Sequence, residues 1–166
     1  ILQRAIDAVN EGKSKGMFRA DHLIHLRCEI SDPDLIELAE HFIDLPNVAL
    51  VSVMDHTPGQ RQWRDLSKMK QYHSADNMSD DDLDAYVRER TALQAQYASA
   101  HRHAIVGLCQ AHGIPMASHD DTTPEHVHEA VGDGILISEF PTTMEAAQIA
   151  REKGMQIIMG APNVVR

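Results

Sequence analysis

Val48-Ala49-Leu50-Val51-Ser52-Val53-Met54 is an almost unbroken apolar run, set between Leu45-Pro46-Asn47 and Asp55-His56-Thr57-Pro58-Gly59. A strand with one wet face alternates polar and apolar residues, whereas one covered on both faces does not, so this run reads as a buried strand of a parallel sheet. Upstream, His22 to Glu29 (HLIHLRCE) reads as a second strand. Ser31-Asp32-Pro33-Asp34 then offers a cap and an early proline for a helix running to about Asp44. Leu2, Ala5, Ile6 and Val9 follow helical spacing, and the polar stretch Asn10 to Lys15, with Gly12 and Gly16, is expected to end that helix. Downstream the reading is a helix from about Gln60 to Tyr72, an acidic segment Asn77 to Asp82, and a long helix from about Asp82 to Ala111 closed by Gly113. A strand at Ile114 to His119 follows, then a helix from Thr123-Pro124-Glu125 to near Val131 with Gly132 as its C-cap. A strand at Gly134 to Ser138, a helix at Thr142 to Lys153 and a strand at Gln156 to Met159 complete the chain. Strands that alternate with helices in this way predict an α/β fold with right-handed crossovers, either an open doubly wound sheet or part of a (β/α)8 barrel.

Composition narrows the class. With 166 residues, 43% hydrophobic and 24% charged, the chain suits one globular domain and is unlike a disordered polypeptide. The formal charge of −10 excludes a generally cationic surface for nucleic acid. No apolar run is long enough for a membrane helix, and the start, Ile1-Leu2-Gln3-Arg4-Ala5-Ile6-Asp7, lacks the apolar centre of a signal peptide, so a cytoplasmic protein is expected. The missing initiator methionine suggests a piece of a longer polypeptide. Cys28 and Cys109 lack CxxC spacing and read as small buried hydrophobes. The 11 histidines, beside three Phe, three Tyr and one Trp, are the compositional hint of metal or acid–base chemistry.

Polar residues collect where each strand ends: Arg27 and Glu29, Asp55 and His56, His119 with Asp120 and Asp121, Ser138 and Glu139, and Asn163. Parallel α/β folds bind ligands at that end. Asp121, Ser138 and Asn163 read at least as readily as helix caps, but imidazole is a poor N-cap, which singles out His56 and His119. In the first strand His25, Arg27 and Glu29 share one face, opposite Ile24, Leu26 and Cys28. Charges there need a metal, a phosphate or each other as compensation. Glu29 with His56 and His119 makes a donor set suited to zinc or manganese, the competing reading being a salt bridge and two loop histidines. His101 and His103, and likewise His126 and His128, lie two apart in helical segments and point too far apart to share an ion. His22, His41, His73 and His112 are lone residues near element ends. The turn Asp55 to Gln62 leads into a helix start with Arg61 nearby, a plausible place for a phosphate. No GxGxxG, GxxxxGK[ST] or GxSxG fingerprint occurs.

The segments Ala20 to Ile30 (ADHLIHLRCEI), Val53 to Gln62 (VMDHTPGQRQ), Ala117 to Thr123 (ASHDDTT), Ser138 to Thr143 (SEFPTT) and Met159 to Arg166 (MGAPNVVR) together resemble the phosphonate-metabolism branch of the amidohydrolase superfamily. The resemblance implies a distorted (β/α)8 TIM-type barrel, of which residues 1–166 would form the central part, about five βα units, without the first two strands and the last. It implies metal-dependent diphosphatases of the carbon–phosphorus lyase pathway, which convert α-D-ribose 1-methylphosphonate 5-triphosphate to the 5-phosphate and pyrophosphate. Carried onto this sequence, Glu29 would bridge two divalent ions, zinc or manganese. His56 and His119 would ligate the second ion, and Asp120 would support the metals or touch substrate. Arg27 and Arg61 are candidates for triphosphate contacts on charge and position. The superfamily's first-strand HxH pair and last-strand Asp are not in these 166 residues, so the chain by itself is expected to be inert and, with open sheet edges, to self-associate. A deacylase-type amidohydrolase and a noncatalytic α/β scaffold are the alternatives.

Overall fold

The structure, a computed structural model, describes residues 2–67, 69 and 79–160. In chain order it contains α1 (Leu2–Ser14), β1 (Ile24–Glu29), α2 (Leu35–Phe42), β2 (Val48–Met54), a 3-10 turn (Arg61–Trp63), α3 (Asp80–His112), β3 (Met116–His119), α4 (Pro124–Gly132), β4 (Ile137–Glu139), α5 (Met144–Glu152) and β5 (Gln156–Ile158). The strands form one parallel sheet in the order β1-β2-β3-β4-β5. A doubly wound sheet reverses its order partway along, whereas a barrel lays each strand beside the one before it. The sequential order therefore decides between the two architectures left open above: this is an α/β chain whose five-stranded sheet is consistent with part of a TIM-type barrel.

Register divides the sheet into two faces, because parallel partners point the same way. Cys28, Val53 and Ser118 align, as do Ser118 and Ser138, and this face carries Leu26, Val51 and Met116 into the apolar core. Leu35, Ala39 and Phe42 of α2, Ile105 and Cys109 of α3, Val127 and Ala130 of α4, and Ala146 and Ala150 of α5 close over it. The opposite face carries His25, Arg27 and Glu29 of β1, Ser52 of β2, His119 of β3 and Glu139 of β4, in keeping with the alternation expected for β1. Burial raises the thiol of Cys28 to about 12 and that of Cys109 to about 11, so both stay protonated apolar groups. Among the described residues no helix is long and apolar enough to cross a membrane.

Strand β2 spans its expected limits, and α3 starts on a Ser79 cap with Asp80, Asp81 and Asp82 in its first turn and stops at Gly113, φ +65°. Other boundaries move for local reasons. Helix α1 continues through Gly12 to Ser14, within the polar stretch expected to end it, and a Cβ at Gly12 would lie 2.5 Å from Phe18 Cζ, so glycine there makes room for a ring. Gly132 is the last residue of α4 rather than its cap, and the left-handed turn falls at Gly134, φ +75°. The helix expected from Gln60 begins instead as the 3-10 turn, since Arg61 has φ +42°, which no α-helix start accommodates. Helical backbone returns at Leu66, Ser67 and Met69. The rest of that expected helix to Tyr72, together with His73, Asn163 and residues 161–166 of the final motif, lies outside the described residues.

The strain at Arg61 has a return. Its guanidinium is buried and donates to the Asp121 carboxylate at 2.6 Å and to the His119 carbonyl at 2.9 Å. Asp121, itself fully buried, also accepts from Ser118 Oγ and, at 2.9 Å, from Ser138 Oγ. This hub ties the β2–α3 connection to the ends of β3 and β4 on the helix side of the sheet. Removing one partner of a buried pair leaves the other charge uncompensated, at a cost of about 3–5 kcal/mol. Asp121→Ala is therefore expected to lower the unfolding free energy by about that amount, read from urea titration followed by circular dichroism. A loss below about 1 kcal/mol would show that Asp121 is not structural.

Candidate metal centre

Glu29 ends β1, and the chain leaving β2 is turned by Asp55, whose carboxylate accepts from Thr57 N at 3.0 Å and from Gln94 Nε2 at 3.2 Å. That turn carries His56 over the end of the sheet. The His56 backbone N–H donates to Glu29 Oε1 at 3.0 Å, and its ring Nδ1 lies 2.7 Å from Glu29 Oε2. On the far side His119 and Glu139 are register partners, with His119 Nδ1 2.7 Å from Glu139 Oε2. An ionised carboxylate can only accept, so each Nδ1 carries the hydrogen, and a neutral ring then presents Nε2 as a lone pair.

Both Nε2 atoms face one oxygen. Asp120 Oδ2 is 3.5 Å from His119 Nε2 and 3.7 Å from His56 Nε2, and the rings meet edge to face at 5.2 Å. This oxygen is buried and has no hydrogen-bond partner. Asp120 reaches it from a left-handed backbone, φ +54°, anchored by its N–H on the Glu139 carbonyl at 2.9 Å. One ligand atom from each of His56, His119 and Asp120 lies within 4.8 Å of the other two. Two imidazole nitrogens and a carboxylate oxygen suit zinc or manganese, and a cation there would satisfy the orphaned Asp120 oxygen. The donor set fits a divalent metal.

The electrostatics are uneven across the group. Burial raises the Asp120 carboxyl above its ordinary range, and the neighbouring imidazoles and arginines offset this only in part. Burial also opposes ionisation of Glu139, but hydrogen bonds from His119 and Ser52 and the nearby His119 and His25 rings more than reverse it, to about 2. Glu29 is likewise held low, against burial, by the His56 ring and backbone and by Ser31.

Of the sequence-derived candidates, His56, His119 and Asp120 come together directly. Glu29 stands one hydrogen bond behind, on His56 Nδ1. Exposed Arg27 places Nη2 3.4 Å from His119 Nε2, at the edge of the group. Arg61 lies on the helix side with its guanidinium occupied by Asp121. Sequence reasoning passed over Glu139, although it was visible at the strand end, because only register shows it opposite His119. Asp121 and Ser138 are not side-chain caps, since Thr123 and Thr143 cap α4 and α5. Among the remaining histidines, His101 bonds the Ile30 carbonyl, His103 the Ser99 carbonyl and His112 the Asp44 carboxylate, each in its own surroundings.

No family model matches the chain, and no solved structure matches it. Among curated proteins, alpha-D-ribose 1-methylphosphonate 5-triphosphate diphosphatase of Escherichia coli (strain K12) is 42% identical over 166 residues, which is 99% of this chain and 44% of that protein. The chain thus spans less than half the length of the relative it matches. Within that span the resemblance to the phosphonate-metabolism diphosphatases, first drawn from five short segments, extends along almost all of the chain.

Proposed function

We propose that this chain supplies part of the active site of a metal-dependent phosphoanhydride hydrolase that releases pyrophosphate from α-D-ribose 1-methylphosphonate 5-triphosphate. The observation that carries the reading is the convergence of two carboxylate-backed imidazoles on the unpartnered oxygen of Asp120, in a chain 42% identical to a protein named for that activity. Going from a 5-triphosphate to a 5-phosphate and pyrophosphate breaks the α–β anhydride: water adds to the α-phosphorus, and the bridging oxygen leaves with the pyrophosphate. A divalent cation, zinc or manganese, would supply Lewis acidity to the phosphoryl oxygens and make water more acidic.

In this reading His56 and His119 hold the cation through Nε2. Asp120 completes the set or takes the proton of the attacking water. Glu29 fixes the His56 ring; the family resemblance implies the further role of a carboxylate shared by two ions. Arg27, exposed beside His119, meets the triphosphate charge. Arg61 holds the β2–α3 connection from behind. The second ion, the other ligands and a cytoplasmic setting belong to the longer protein in the same proposal, as does association between copies through open strand edges.

Zinc or manganese titration of the purified chain, by competition with a chromogenic chelator, tests the group. His56→Ala, His119→Ala and Asp120→Ala are each expected to weaken binding at least about tenfold, since even outer partners cost that much. Wild-type binding in all three variants would overturn the assignment. The longer protein, supplied with the ribose 5-triphosphate, is expected to yield equimolar 5-phosphate and pyrophosphate. Orthophosphate as the product, or no turnover with any divalent metal, would refute the reaction.

A further inference from the structure

The sheet face opposite the helices holds a row of hydrogen bonds that runs from strand to strand. His25 Nε2 on β1 lies 2.5 Å from Ser52 Oγ on β2. Ser52 Oγ donates to Glu139 Oε2 on β4 at 2.8 Å, and that same oxygen lies 2.7 Å from His119 Nδ1 on β3. The row thus spans four of the strands that build the site. Its directions are fixed by donor supply. Ser52 has one hydrogen and gives it to Glu139, so it can only accept from His25, whose Nε2 must carry a hydrogen. Ser52 is fully buried and Glu139 nearly so, which leaves little water to replace either, whereas His25 at the end of the row is exposed.

We propose that Ser52 and His25 are positioning residues for His119: together they set where Glu139 Oε2 sits and hence keep the His119 hydrogen on Nδ1 and its Nε2 aimed at Asp120. This rests on the metal-binding reading above, but it concerns residues that make no contact with the cation. Ser52 acts on Glu139 directly. His25 acts only through the Ser52 hydroxyl, whose donor strength it raises by donating to it. The two residues therefore form a chain with an order, and that order is measurable.

Zinc affinity of the intact chain, measured by chelator competition, is expected to fall about tenfold in Ser52→Ala, the lower end of what outer-shell partners contribute. His25→Ala is expected to cost less, and the double variant to match Ser52→Ala alone, because without the hydroxyl His25 has nothing to act through. Nitrogen-15 NMR of the His119 ring in the metal-free chain supplies a second readout. The Nδ1–H tautomer should dominate in the wild type and lose population in Ser52→Ala, with unfolding midpoints confirming that both chains are folded. Additive losses, wild-type affinity in Ser52→Ala, or an unchanged tautomer in that variant would each overturn the proposal. If the wild type binds no zinc, the metal reading fails, and the tautomer experiment still decides this one. If Ser52→Ala does not fold, His25→Ala decides: it must weaken zinc binding and shift the His119 ring nitrogens, and no change in either refutes the proposal.

Discussion

Two hydrogen bonds, from His56 Nδ1 to Glu29 and from His119 Nδ1 to Glu139, are the constraint on which the site depends, because each removes the choice a histidine otherwise has. A free imidazole exchanges its hydrogen between two nitrogens and swings about two torsions. Bonded to an ionised carboxylate at 2.7 Å, it keeps the hydrogen on the bonded side and fixes the ring plane. With both rings held, the two Nε2 atoms lie near Asp120 Oδ2, and that of His119 also meets Arg27 Nη2 at 3.4 Å. The carboxylates stay ionised because their partners lower them, most strongly at Glu139, at about 2.

The adjacent acids Asp120 and Asp121 show how a strand end serves chemistry and stability together. Simple alternation from His119 would turn Asp120 to the helix side, but Asp120 follows the end of β3 with a left-handed backbone, φ +54°, and stays beside the imidazoles, while Asp121 turns to Arg61, Ser118 and Ser138. Asp121 is satisfied on every side, whereas an oxygen of Asp120 has no partner. The satisfied acid holds the loop, and the unsatisfied one is left for a ligand. The left-handed backbone at Asp120 and Phe140 lies where the chain leaves β3 and β4, and that at Arg61 lies at the start of the 3-10 turn.

Much of this was legible in the sequence. The apolar run of β2 announced a strand that is buried from Val51 to Met54 and half-buried from Val48 to Leu50, and the alternation of HLIHLRCE announced the polar face of β1. Strand order was not legible, since helix-linked parallel strands fit a barrel and a doubly wound sheet equally well until neighbours are known. Capping logic failed at Asp121, because a side chain that could cap the next helix found a buried guanidinium that arrived from residues far earlier in the chain. Glu139, visible only as a polar residue at a strand end, had no legible role for a related reason: that role comes from register with His119, and register is set by pairing between strands. Arg61, a candidate phosphate contact on charge and position, is paired with buried Asp121 from a left-handed backbone.

The most direct test of the account is X-ray absorption at the zinc edge on the zinc-loaded chain. The account predicts two imidazole nitrogens at about 2.0–2.1 Å and an oxygen at about 2.0–2.2 Å, with one imidazole lost in His56→Ala and in His119→Ala alike. A zinc shell made of oxygen alone, or one unchanged by either substitution, would contradict it.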